Sequence, residues 1–316
     1  MVDINVSGNS LHAKEYITAF DLELQQSQSK LEPFVFRSSF EGNAEKRQAA
    51  VRYGEVSMSK ITGSYDDITD SELSSVQRWL TGDAYDVSSV YNEYTQGPLT
   101  KQNIQQAIVM AQMAAVERQK DEIILSSIFD AALSGADAGS TTAYDSGNTI
   151  AASVGASGNT GLNLAKFEAV KDRMKFNELD PDTIAKQGGA VMILTEKSSG
   201  DLRKMVEVNN SDYRAQYGVV TDALGNVTRF YGFDIVEFST ARLAKYKTSA
   251  RLLNGALRRI PVFTKKALQL GMWASQLQRV SDVDTKRGAV KRFYAALNLG
   301  ATRLDEKLVY DIQVAE

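Results

Sequence analysis

Hydrophobic positions change their period several times along this chain, and each change predicts an element. Tyr16, Phe20, Leu24 and Leu31 fall near helical spacing, while Gln25 to Lys30 is polar and thin. The stretch to Lys30 reads as an arm with a short helix that needs a neighbour to pack against. From Pro33 to about Tyr94 the pattern turns β-like, with Phe34, Phe36 and Phe40 on one strand face and Val35 on the other. Glu41-Gly42-Asn43-Ala44 is a turn candidate, and Ala49 to Lys60 and Ser75 to Val90 are strand-like runs flanking the acidic stretch Ser64 to Asp70. Isolated two-stranded ribbons are marginal in water, so this excursion predicts a protruding ribbon that lies on something else.

Helical periodicity takes over after Gly97-Pro98-Leu99-Thr100. Thr100 is a fitting N-cap, although Asn103 stands where a capping box has Glu or Gln. The apolar stripe Ile108/Val109, Met113, Val116, Ile123/Ile124, Ile128 and Ala131 is broken once by Lys120. With no Gly or Pro between Leu99 and Ser134, the pattern predicts a spine helix about 50 Å long, at about 1.5 Å per residue.

Ser134 to Gly161 holds six glycines and many Ser, Thr and Ala, the composition of a long surface loop or weakly structured hairpin. A second helix is predicted from a cap near Asn163, with Leu164, Phe167, Val170 and Met174 on one side and Asp180-Pro181 closing the region. Ala190 to Leu194 suits a buried strand, and Thr195 to Val208 a third helix with Leu202 and Met205 inward. Leu224 to Val227 reads as a turn, followed by an aromatic strand Phe230 to Ile235. Pro261 to Phe263 and Ala267 to Trp273 are further strands, and Lys291 to Val314 suits two strands joined through Arg303 to Lys307. No internal repeat is visible.

Composition narrows the chemistry. The 316 residues are 43% hydrophobic and 24% charged, with a formal net charge of −3. So mild a charge argues against a domain that grips phosphate backbones. Cysteine is absent and there is one histidine, His12, which excludes disulfides, thiolate catalysis, sulfur-ligated zinc and a His-based metal cluster within one subunit. His12 lies in the arm, without the rigid partners that a catalytic base needs. With no leader-like segment and no apolar run of about 20 residues, the chain reads as soluble, made in a cytoplasm and without membrane contact.

The remaining motifs favour bland readings. No Gly-Lys dipeptide exists for a phosphate loop, and Gly155, Gly158 and Gly161 are misspaced for a dinucleotide fingerprint. Asp282-Val283-Asp284 followed by Gly288 resembles a calcium loop, but Lys286 and Arg287 occupy the places of a ligand and a glycine. Asp66, Asp67, Asp70 and Glu72 fit the solvated tip of a ribbon, with a carboxylate site or an ionic contact to another subunit as alternatives. Arg258-Arg259, Lys265-Lys266, Lys286-Arg287 and Lys291-Arg292 are scattered basic pairs, read as surface charges and subunit salt bridges. These residues give no catalytic, cofactor-binding or metal site, and no cofactor.

Several short stretches together carry a family resemblance. Val51-Arg52-Tyr53-Gly54-Glu55 resembles an "RYGD" stretch, and Asp121-Glu122-Ile123-Ile124 a "DDEII" stretch late in a spine helix. Gly161 to Phe167 resembles "GLTVAKL", and Asn210-Ser211-Asp212-Tyr213 with Tyr231 to Ile235 resembles "SSDY" and "LGFKFI". Gly300-Ala301-Thr302-Arg303-Leu304-Asp305-Glu306-Lys307 resembles "GATRLEEEKV". Their shared order from Val51 to Ile312 is similar to tailed-bacteriophage major capsid proteins. Paired arginines common in that family's ribbon are reduced here to Arg78, and Gly63 to Ile68 is more acidic.

The resemblance implies an α+β chain with the Hong Kong 97 phage-type capsid fold, shared with encapsulin shells. Its implied parts are an N-terminal arm over 1–32, an extended β-hairpin loop over 33–95, and a peripheral domain with the spine helix over 96–185. An axial α/β domain over 186–281 and closing strands of the peripheral domain over 282–316 complete it. The implied function is a non-enzymatic virion subunit, assembled in the bacterial host cytoplasm. Its hexamers and pentamers form an icosahedral head around double-stranded DNA, without sequence-specific binding. Scaffolding, portal and decoration proteins are the implied partners besides itself. The residues favour the same role: a chain with no catalytic group and a long unsupported ribbon buries that ribbon against its own copies. The competing readings are an encapsulin-type compartment around a cargo enzyme and a carboxylate-dependent hydrolase using Asp66, Asp67 or Asp70.

Overall fold

A computed structural model describes residues 26–41, 46–58, 60, 63, 72–92, 104–205, 208, 211–247, 249–280 and 290–316. The first strands are β1 (Phe36–Phe40), β2 (Lys46–Tyr53), β3 (Ser75–Thr81) and β4 (Asp83–Asn92), followed by the long helix α1 (Ile104–Phe129). Short strands β5 (Ala132–Ser134), β6 (Ser140–Thr142) and β7 (Thr149–Ile150) lead to helices α2 (Leu164–Phe176) and α3 (Pro181–Lys186). Then come β8 (Ala190–Thr195), α4 (Glu196–Lys204), α5 (Ser211–Gln216), β9 (Val220–Thr221), β10 (Val227–Phe230), β11 (Phe233–Phe238) and α6 (Thr240–Lys245). The chain closes with β12 (Leu253–Asn254), β13 (Leu257–Thr264), β14 (Leu268–Val280), β15 (Val290–Arg303) and β16 (Val309–Ala315).

Three sheets organise these elements. The largest runs β7-β16-β13-β8-β11-β10-β9, with β12 paired to β13. Its centre is β8, where all six residues are buried, as the uninterrupted apolar run requires. On it lies α2, which starts where Asn163 accepts the amide of Lys166 and buries Phe167, Val170 and Met174. The Phe167 and Phe230 rings meet edge to face at 4.9 Å. Helix α4 starts likewise, with Thr195 accepting the amide of Ser198 and Leu202 pointing inward.

A second sheet has the order β1-β14-β15-β4 and a third β2-β3-β5-β6. They meet where the chain passes from β3 to β4 across β14 and β15. Gly271 and Gly300 face each other in the β14–β15 register, and this is where the crossing is closest. A Cβ on Gly300 would run into the carbonyl oxygen of Thr81, and one on Gly271 into the Leu80 side chain. Gly300→Ala is therefore expected to lower stability by about 1–3 kcal/mol, the cost of overpacking, readable as a drop in thermal midpoint.

Several local expectations are corrected. Phe34 ends a 3-10 turn (Glu32–Phe34) and does not share a strand face with Phe36 and Phe40. Within β1, Phe36 is exposed, whereas Phe40 packs against Trp273 at 5.3 Å. β1 and β4 are edge strands of the second sheet, paired in parallel to β14 and antiparallel to β15. Among the described residues the ribbon is the antiparallel pair β2 and β3. The aromatic strand is instead a hairpin, because Tyr231 and Gly232 both take positive φ, 52° and 86°, and turn the chain between β10 and β11. Asp180-Pro181 opens a helix, since proline suits a first helical turn. The low-complexity stretch supplies β6, β7 and the fully buried Asn148, which donates to the Glu306 carbonyl.

Helix α1 is about 39 Å long at about 1.5 Å per residue, over its 26 residues. Its second half is buried almost all round. Ile124, Leu125 and Ile128 join the main core with Val309 and Ile312, while Ile123 faces a smaller cluster with Leu297 and Leu299. Its first half departs from the expected stripe, because Val109 and Met113 are exposed together with Met110. The expected Thr100 cap, the Glu41–Ala44 turn beyond Glu41 and the early arm helix lie outside the described residues.

Candidate assembly surface

Two polar joints on α1 hold the protruding parts, and each includes residues of the short sequence stretches. The first lies at the helix C-terminus. Arg303 has no exposure. Its Nη1 donates to the carbonyls of Ile128 (2.7 Å) and Asp130 (2.9 Å), and its Nη2 to that of Thr142 (3.2 Å). A buried guanidinium thus satisfies helix-end carbonyls and offsets the negative end of the helix dipole. Its Nε reaches Glu306 Oε1 at 3.3 Å.

Glu306 also takes Arg78 of β3, and the adjacent Asp305 takes Arg52 of β2 at 2.5 Å. The turn after β15 therefore fixes the helix end and the base of the ribbon at once. Trp79 adds a hydrogen bond from Nε1 to the Gly135 carbonyl, 2.7 Å. Beyond this base the ribbon leaves apolar side chains uncovered: Tyr53, Val56, Met58, Leu73 and Val76 are all exposed, Met58 completely.

The second joint is a clasp over the middle of α1. Asp121 is fully buried and accepts from Ser29 Oγ (2.5 Å), the amides of Lys30 and Leu31 (both 3.1 Å) and the Gln26 side chain. Glu117 accepts the Ser29 amide at 3.2 Å, and Arg118 donates to the Gln26 carbonyl at 3.0 Å. Lys120 bridges Glu32 (2.9 Å) and Glu117 (2.7 Å). Burial alone would raise Glu32, but the hydrogen bond and charge of Lys120, with help from Arg37, hold its carboxyl below the ordinary range. Glu122, next to the clasp, accepts the Lys247 amide at 2.6 Å.

A third charged group sits inside the main sheet. Asp311 on β16 is fully buried, and its Oδ2 accepts from Arg259 Nε at 2.7 Å while Oδ1 has no hydrogen-bond partner. The Arg259 guanidinium lies 3.5 Å over the Phe129 ring. Burial pushes the Asp311 carboxyl from 3.8 up to about 6, against the pull of Arg259. A raised carboxyl pKa makes the folded state bind the extra proton. The stability it gives is therefore present at about pH 4 and lost as pH rises through about 6. Asp311→Asn is expected to flatten that slope by on the order of 3 kcal/mol, read in urea titrations between pH 4 and 7.5.

The sequence candidates distribute unevenly. His12, Asp66, Asp67, Asp70, the segment Asp282 to Gly288 and the pair Lys286-Arg287 lie outside the described residues, and Glu72 is exposed. Arg258 and Arg259 pair within the chain, with Glu316 and Asp311. Lys265 reaches Asp234 at 3.2 Å, Lys266 is exposed, and Lys291 and Arg292 lie in β15. Gly155 and Gly158 take positive φ in the loop before α2, and Gly161 packs against the Asp201 carboxylate. Among the described residues no group of three or more His, Cys, Asp or Glu is placed to hold a metal, and no helix is long and apolar enough to cross a membrane. Sequence reasoning gave no role to Arg52, Arg78, Arg303 or Asp121; the signal was two acids, Asp305 and Glu306, one residue beyond an arginine.

The architecture combines a spine helix flanked by a sheet that roots a ribbon with a compact sheet layered with helices. Solved structures share it. The capsid of cyanophage Pam1 superposes with a TM-score of 0.68 at 11% identity, covering 100% of this chain and 99% of that one. The capsid of cyanophage P-SCSP1u gives 0.68 at 14% identity, over 96% and 93%. The mature capsid of bacteriophage PhiM1 gives 0.66 at 13%, over 96% and 92%. No curated protein sequence matches significantly. A family profile described as "Phage capsid protein" matches residues 9–316. The chain belongs to the phage capsid protein family, and its role is that of a major structural subunit of the virion shell. The encapsulin-type and hydrolase readings are not favoured.

Proposed function

We propose that copies of this chain assemble, in the bacterial host cytoplasm, into hexamers and pentamers of an icosahedral head that encloses double-stranded DNA. The chain carries no enzymatic activity in this reading, and scaffolding, portal and decoration proteins are its partners. The proposed division is arm 1–32, extended loop 33–95, peripheral domain 96–185 closed by 282–316, and axial domain 186–281. Strands β1 and β4 root the loop in the sheet beside α1. A net charge of −3 suits a container, because a strongly basic inner wall would hold the packed DNA back.

The observation that carries this reading is the uncovered ribbon. Its base is fixed by Arg52 and Arg78, yet Tyr53 is 68% and Val76 44% exposed. A rigidly held apolar projection fits a different surface on a neighbouring copy, and such head-to-tail contacts form rings when the rotation closes. Hydrogen exchange of free subunits against assembled shells tests it. Amides of Lys46 to Tyr53 and Ser75 to Thr81 are expected to slow at least about tenfold on assembly. Tyr53→Asp is expected to leave a folded subunit that sediments without shells. Equal protection in both states, or shells formed by the variant, defeats the reading.

A further inference from the structure

One asparagine is placed unlike the others. Asn254 precedes Gly255, and this is the single Asn-Gly pair in the sequence. It ends β12, a strand of two residues hung on β13, and pairs with Leu257. Gly255 takes a φ of 61° and Ala256 does not share the positive φ, the pattern of a tight hairpin with glycine at its first central position. Asn254, Gly255 and Ala256 are exposed, and nothing lies within 4 Å of where a Cβ on Gly255 would stand. Among the described residues the Asn254 side chain has no hydrogen-bond partner, and the Gly255 amide donates to no carbonyl.

Other asparagines are held. Asn148 donates to the Glu306 carbonyl and accepts from Arg173. Asn163 donates to the Val154 carbonyl and accepts the Lys166 amide. Asn177 donates to Asn148 and to the Tyr310 hydroxyl, and Asn226 donates to Asp222 and accepts from Arg203. Each of these four is followed by a residue with a side chain, which crowds the next backbone nitrogen. Glycine leaves that nitrogen open. A two-residue strand also opens at little cost, since end segments with few contacts unfold locally first.

We propose that Asn254 is a site of spontaneous covalent modification, deamidating through a cyclic imide with Gly255. The Gly255 backbone nitrogen attacks Asn254 Cγ and forms a C–N bond. The Cγ–Nδ2 bond breaks, and Nδ2 leaves as ammonia with the proton of the Gly255 amide. Solvent water then opens the ring, at Cγ to give aspartate or at the main-chain carbonyl to give isoaspartate. Either product places a carboxylate where the chain had a neutral amide. Isoaspartate also adds a main-chain atom between the paired Asn254 and Leu257, so the hairpin loses its register. The modification belongs to the subunit itself and does not depend on the assembly reading.

Trypsin isolates the site, because Arg251 and Arg258 bound a peptide from Leu252 to Arg258. Folded full-length subunits are held in mildly alkaline buffer, sampled over time, and digested in heavy-oxygen water. The label marks any conversion that happens during digestion. By mass spectrometry this peptide is expected to appear unlabelled as two isomers, aspartate and isoaspartate. Conversion should run at least about tenfold faster than at Asn148, Asn163, Asn177 or Asn226, whose hydrogen bonds must break first. Asn254→Gln, an exposed change whose ring would need six members, is expected to lose the conversion and keep the circular dichroism of the parent. Conversion no faster than at the other four, conversion confined to the digest, or aspartate as the sole product would each overturn the proposal.

Discussion

Arg303→Ala is expected to remove about 3–5 kcal/mol of subunit stability, the cost of breaking one side of a buried charged cluster. The side chain has no exposure, and its loss strands the carbonyls of Ile128, Asp130 and Thr142. Each buried acceptor left without a donor costs about 1–3 kcal/mol. Glu306 would keep Arg78, so the ribbon base would loosen less than the helix end. Arg303→Lys should recover only a minor part, because an ammonium offers no planar fork to carbonyls on different sides. Urea unfolding followed by circular dichroism reads the difference. A loss below about 1 kcal/mol, the range of ordinary surface changes, would mean that the helix end is satisfied by other groups.

The elements legible in the sequence were those whose reason is local. β8 is a run of six buried residues, and α2 and α4 announce themselves by caps at Asn163 and Thr195. The closing strands β15 and β16 follow from alternation alone. The misread elements depend on distant partners. β1 looks like a piece of ribbon until β14, more than two hundred residues later, pairs with it. Tyr231 reads as a strand residue because nothing local reveals a positive φ beside a glycine. The first half of α1 has the periodicity of a buried helix, and periodicity does not say whether the covering surface belongs to the described core.

The short sequence stretches were visible as patterns without their reasons. Asp121-Glu122-Ile123-Ile124 turns out to divide four tasks: Asp121 holds the arm, Glu122 the Lys247 amide, Ile123 the small core and Ile124 the large one. Arg303, Asp305 and Glu306 join helix end and ribbon base. These are tertiary roles, and a carboxylate or guanidinium in sequence carries no sign of which backbone groups it will meet. The acidic stretch beyond the ribbon strands lies outside the described residues apart from its exposed last member, Glu72.

Ile124→Asp is expected to abolish soluble subunits, and the reason is where Ile124 sits. Its side chain has no exposure and belongs to the main core with Leu125, Ile128, Val309 and Ile312. A carboxylate there would sit among aliphatic side chains, so it either ionises in an apolar interior or takes up a proton. Both routes cost several kcal/mol, and the lost aliphatic packing adds about 2–5 kcal/mol. Against a typical domain stability of about 5–15 kcal/mol, that exhausts the margin. Val51→Asp puts the same charge on the ribbon, where Val51 is 40% exposed, and it should leave the fold intact and alter at most assembly and its salt dependence. Expression of both, with circular dichroism and size-exclusion chromatography, separates a folding defect from an assembly defect. Folded, soluble Ile124→Asp monomers would show that this face of α1 does not pack into the main core.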